Sequence, residues 1–72
     1  MSDRHKRARA FASMGRNAHA IADLSRLLAL AERNPSHMTR AKQIETVVEL
    51  ACRVAALARD TDNLVGELAV YQ

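Results

Sequence analysis

Three histidines, one cysteine and two glutamates one helical turn apart are the side chains of this 72-residue sequence best suited to chemistry. His5, His19 and His37 are scattered, with no two at i, i+4 and none beside a cysteine. Zinc requires several nitrogen or sulfur ligands at short recurring spacings, so no metal site is expected. Glu45 and Glu49 share a helix face, but Arg53 follows Glu49 at i+4, the spacing of a surface ion pair rather than of an acid and base couple. Cys52 falls at the rim of an apolar stripe and reads as a small packed hydrophobe, because no neighbouring base would make it a nucleophile. There is no glycine-rich phosphate loop. The expectation is a protein that is not an enzyme, with no catalytic residues and no cofactor.

Charge is the second chemical resource. The chain carries 11 basic and 8 acidic side chains, a formal net charge of +3. Residues 1–16 hold Arg4, Lys6, Arg7, Arg9 and Arg16 against Asp3 alone, whereas residues 17–72 hold six basic and seven acidic groups. The excess therefore belongs to the amino-terminal segment, with residues 1–12 read as a basic arm or helix extension. A smaller group, Arg33, Arg40 and Lys42 with His37, gathers further along. Such clusters bind phosphate by releasing counterions. Phe11 is the only aromatic residue near the arm, so base stacking is not indicated.

The elements that would position these groups are helices. Val47, Leu50, Val54, Leu57, Thr61, Leu64, Leu68 and Tyr71 recur at alternating spacings of three and four, the a/d seam of a packed helix. Beside it runs a stripe of mostly small residues: Ile44, Ala51, Ala58 and Val65, with Ala41, Val48, Ala55 and Ala69. Together the two stripes cover roughly 200° of the wheel, twice the roughly 100° that one buried stripe needs. This helix should therefore have two neighbours. Asp60-Thr61-Asp62-Asn63 is a poor helical run, yet the seam passes through it, so the helix is expected to continue to about Tyr71.

The first half repeats the pattern less sharply. Phe11, Met14, Ala18, Ile21, Ser25 and Leu28 form one stripe, and Ala20, Leu24, Leu27 and Ala31 an adjacent one. Gly15 costs about 1 kcal/mol within a helix, and Asn17 could cap a helix restarting at Ala18. The offsets around Gly15 match a helix-turn-helix at Ala10, Met14, Ile21 and Leu24, but Phe11 stands where a small residue is usual and Arg16 where an apolar one is. That reading is not adopted. Between the halves lies Arg33-Asn34-Pro35-Ser36-His37. Proline biases its predecessor away from helix, so the first helix should end at Asn34, with Asn34 or Ser36 capping the second. So short a connection requires an antiparallel hairpin.

Length decides the assembly. A 72-residue chain is one domain, and domains this small seldom stabilise a core without a staple or a partner. With a single cysteine there is no internal disulfide, and a reducing, cytoplasmic setting is expected. The expected fold is all-α: a two-helix hairpin that dimerises into a four-helix bundle. Its core would be Ile21, Leu24, Leu28, Ile44, Val47, Leu50, Val54, Leu57, Leu64 and Leu68. No apolar run approaches the ~20 residues of a membrane span, and no signal peptide is recognised. Nine arginines against two lysines, with fourteen alanines, match a GC-rich coding bias, which points to a bacterial, phage or plasmid source.

Three binding roles remain. The leading one is a small helical regulator that modulates or inhibits a protein target, with Phe11, Met14, Leu30 and Tyr71 as candidate anchors. For Phe11 and Met14 plain core packing is the favoured alternative, whereas Leu30 lies about 180° from Ile21 on the wheel and cannot be buried by a simple hairpin. The second role is a dimer that binds RNA or DNA through Arg4, Lys6, Arg7, Arg9, Arg16, Arg40 and Lys42. The third is an assembly subunit whose second stripe pairs with a different helical protein.

Overall fold

The computed structural model describes residues 3–33 and 38–70. It contains two α-helices, α1 (Asp3–Glu32) and α2 (Arg40–Ala69), packed along each other as an antiparallel hairpin. Each has 30 residues, about 45 Å at the helical rise. The molecule measures 53 × 16 × 15 Å, and its radius of gyration of 16.4 Å exceeds the ~11 Å of a compact domain of this length.

Alternation of three and four fixes the contact. On α2 the inward positions are Gln43, Val47, Leu50, Val54, Leu57, Thr61, Leu64 and Leu68, all buried or half-buried. The seam expected there is therefore present, extended by one step to Gln43, and helix runs unbroken through Asp60–Asn63. On α1 the inward positions are Ala10, Met14, Asn17, Ile21, Leu24, Leu28 and Ala31. This seam differs from the expected one: it passes between the two stripes, and Phe11, Ala18 and Ser25 are exposed. Packing for Met14 is as expected, but Phe11 is 61% exposed, so core packing does not account for it.

Neither Gly15 nor Asn17 breaks α1. One glycine's propensity cost is outweighed by the alanine-rich turns around it, and the Asn17 side chain pairs with α2 instead of capping. Continuous helix through Gly15 also removes any helix-turn-helix there. The α1 helix ends at Glu32, two residues before Asn34, with the Arg33 N–H closing a tight turn on the Leu30 carbonyl at 3.2 Å. The cap of α2 is Thr39, not Asn34 or Ser36. Its backbone is extended, its Oγ1 accepts from the Lys42 N–H at 3.1 Å, and its carbonyl accepts from Gln43 at 2.8 Å. Asn34, Pro35, Ser36, His37 and Tyr71 lie outside the described residues. At the far end α2 stops at Ala69, and the Val70 N–H donates to the Glu67 carbonyl at 3.2 Å.

No helix of the described residues is long and apolar enough to cross a membrane.

Candidate interaction surface

Two polar ties hold the seam in one register. At the turn end, Gln43 is 5% exposed, and its Nε2 donates to the carbonyls of Ala31 (3.0 Å) and Glu32 (3.3 Å). These carbonyls belong to the last turn of α1, where intrahelical donors run out. Arg40 Nη1 donates to Gln43 Oε1 at 3.0 Å, which leaves the amide nitrogen facing α1. Midway along, Asn17 Nδ2 donates to Asp60 Oδ2 (2.7 Å) and Thr61 Oγ1 (3.2 Å), and Thr61 in turn donates to the Leu57 carbonyl at 2.9 Å. Polar groups at seam positions specify register at some cost in stability. Neither tie was read from the sequence, although Gln43 and Asn17 both sit on the three-four repeat of their helices.

The apolar surface left over is organised. Among the described residues, Phe11, Leu27, Leu30, Ile44, Val48, Val65 and Val70 are each about half exposed or more. Four of them fall on a second repeat displaced by one residue from the seam. On α2 it reads Ile44, Val48, Ala51, Ala55, Ala58, Asp62, Val65 and Ala69, and on α1 Phe11, Gly15, Ala18, Ala22, Ser25, Ala29 and Glu32. The α2 half is the second stripe expected from the sequence. Both helices are right-handed and run antiparallel, so a step of one residue turns toward the same side of the hairpin on each. The two halves therefore form one face, all of it exposed in the single hairpin, with Asp62 and, at the turn end, Glu32 as its charges. Stepping one residue the other way gives a different surface. There the chain presents Arg9, Arg16, Asp23, Leu27 and Leu30 on α1 with Lys42, Glu49, Arg53, Asp60 and Glu67 on α2, all exposed. The first face is mostly apolar, whereas the second is mostly charged apart from Leu27 and Leu30.

The expected core residues divide accordingly. Ile21, Leu24, Leu28, Val47, Leu50, Val54, Leu57, Leu64 and Leu68 line the seam inside the hairpin, while Ile44 lies on the outer face at 52% exposure. Beside it an open groove of ≈ 220 Å³ runs between Glu32, Arg40, Gln43 and Val48. Leu30 is 54% exposed and lies with Leu27 on the flank of α1 away from Phe11, as the wheel expects. Cys52 is exposed and points away from the seam, so it is not the packed hydrophobe that the sequence suggested.

The basic residues are spread out. Arg4, Lys6, Arg7 and Arg9 are exposed on the first turns of α1, and successive steps of 100° distribute them around the helix rather than along one side. Arg16 donates to Ser13 Oγ at 2.9 Å, and Lys42 pairs with Glu45 at 3.6 Å. The Glu49–Arg53 pair forms at 3.2 Å, and Arg26 pairs with Asp23. These are exposed contacts of small energetic weight. A mixed groove of ≈ 400 Å³ at the arm end is bordered by Lys6, Arg9, Ser13 and Glu67. No three His, Cys, Asp or Glu side chains among the described residues converge on one point.

Comparison with protein-family models, with curated proteins and with solved structures found no match for this chain.

Proposed function

We propose that this chain is a small non-enzymatic helical regulator that acts as a homodimeric four-helix bundle and modulates a protein target by occupying it. The lone Cys52 suits a reducing, cytoplasmic setting. The observation that supports the reading is the amount and placement of exposed apolar surface. Single exposed hydrophobics are ordinary on a monomer. Here one continuous face and a separate Leu27–Leu30 pair offer more contact surface than one hairpin uses, which is the signature of protein association. With the outer face given to the second copy, Leu30 is the candidate anchor for the target.

The alternative is nucleic-acid binding through the arm and the turn cluster. In one hairpin Arg7 and Arg33 lie about 39 Å apart along α1, and Arg40 and Lys42 are engaged with Gln43 and Glu45. A continuous phosphate track is not formed within the single chain, so the protein target is preferred.

The test is affinity capture from a bacterial lysate, with and without nuclease. It compares the native chain, Leu30→Asp, and a variant with Arg4, Lys6, Arg7 and Arg9 changed to serine. One protein retained near stoichiometrically after nuclease, lost in Leu30→Asp and kept in the arm variant, is the expected result. Retention of nucleic acid alone, lost at moderate salt and in the arm variant, would overturn the reading in favour of the basic arm.

A further inference from the structure

We infer that the occupant of the outer apolar face is a second copy of this chain, packed face to face across Phe11, Val48, Val65 and the alanines between them. The inference rests on the dimeric reading above and adds which surface makes the dimer and which is left for the target.

Area is the first argument. The single hairpin exposes 5506 Å². A compact monomer of its 8.0 kDa exposes about 4,450 Å², so roughly 1,050 Å² is in excess. A standard protein interface removes about 800 Å² from each partner. Covering one face of the hairpin thus accounts for most of the excess, while a short peptide or one docked loop would not.

Shape and charge select the face. Large side chains stand at its two ends, Phe11 with Val65 away from the turn and Ile44 with Val48 beside it. Between them Ala18, Ala22, Ala51, Ala55 and Ala58 present only methyl groups. Small side chains permit a close approach of helix axes, and the larger groups then close the ends of the contact. A two-fold axis through the alanine band sets this pattern on itself, as an isologous interface requires. The opposite side of the hairpin carries eight ionised side chains besides Leu27 and Leu30, so burying it whole would desolvate more charge. In the resulting bundle each helix meets two neighbours through adjacent repeats, which is how a four-helix bundle uses a doubly apolar helix. Asp62 and Glu32 are the exceptions: association removes carboxylates from water, so both residues work against the dimer.

Sedimentation equilibrium over a wide concentration range tests the assignment, with helicity followed in parallel. The native chain should be a dimer. Val48→Asp should weaken association on the order of 100-fold, and Leu30→Asp, on the other flank, should leave it unchanged. Asp62→Ala should tighten it about tenfold. A native chain that stays monomeric while folded overturns both this inference and the dimeric reading. A native dimer that Val48→Asp does not weaken overturns the choice of face alone. If Val48→Asp unfolds as it dissociates, Asp62→Ala decides: no tightening means the second copy sits elsewhere.

Discussion

Replacing Gln43 should destabilise the hairpin more than any conservative reading of a lone polar residue would suggest. Its Nε2 serves two carbonyls at the end of α1, one of them on Ala31, which is itself only 5% exposed. An acceptor shielded from water and left without a donor costs about 1–3 kcal/mol. The Glu32 carbonyl lies in an exposed residue, where water can replace the lost donor, so its share is a few tenths of a kcal/mol. We therefore expect Gln43→Ala to cost about 2 kcal/mol. For a domain of this size that lowers Tm by about 8–16 °C. Gln43→Leu separates the causes, because it keeps the apolar volume and loses the donor. If the hydrogen bonds matter it should cost nearly as much as alanine. Gln43→Glu should be worse than either, since a carboxylate would face carbonyls at the negative end of the α1 dipole. Thermal and urea melts followed by circular dichroism, at one fixed protein concentration, measure all three. Alanine and leucine variants both within ~0.5 kcal/mol of the native chain would refute the argument. A leucine variant of native stability beside a weak alanine variant would show that Gln43 acts by filling space.

Two further outcomes follow from the helix interiors. Asn17→Ala should lower stability by about 1 kcal/mol, whereas Asn17→Leu should raise it by a similar amount while its amide NMR spectrum shows more than one set of signals, because only the Gln43 tie then holds the register. Gly66 is exposed within α2 and an added methyl group there would meet nothing within 4 Å, so Gly66→Ala should gain about 1 kcal/mol in the same melts.

How much was legible differs between the helices for a physical reason. The α2 seam is written in Val47, Leu50, Val54, Leu57, Leu64 and Leu68, large apolar groups at the right spacing, and its outer stripe could be read as well. The α1 seam includes Ala10, Asn17 and Ala31, while Phe11, Leu27 and Leu30 point outward. Residue size there does not mark the buried side, so the larger side chains trace stripes on either side of the true seam. The two helices end and begin at Glu32 and Arg40, on either side of Pro35, but the cap fell to Thr39, because Asn34 and Ser36 are equally good capping residues by type and the sequence does not say where α2 begins. The Asn17 tie was not legible, because Asn17 lies on neither stripe that the apolar residues of α1 mark.

The polar ties and the outer face are connected through that register. The described core is thin, with only Ala10, Ala31 and Leu50 buried among its apolar residues, and each of these keeps some exposure. Alanine accepts many partners, so sliding α1 along α2 by one heptad would still set small residues against the α2 leucines. Apolar packing alone discriminates poorly between the two arrangements. A seven-residue slip moves α1 by about 10.5 Å. That breaks the Gln43 bonds to Ala31 and Glu32 and separates Asn17 from Asp60 and Thr61 at once. It would also carry Phe11 away from Val65 and put the alanines of the two helices out of step, so the outer face would no longer match a second copy. The seam thus gives up apolar burial at two positions, and the gain is that fifteen outward residues on separate helices stay aligned as one surface. On this argument Asn17→Leu, although more stable as a hairpin, should associate less uniformly than the native chain.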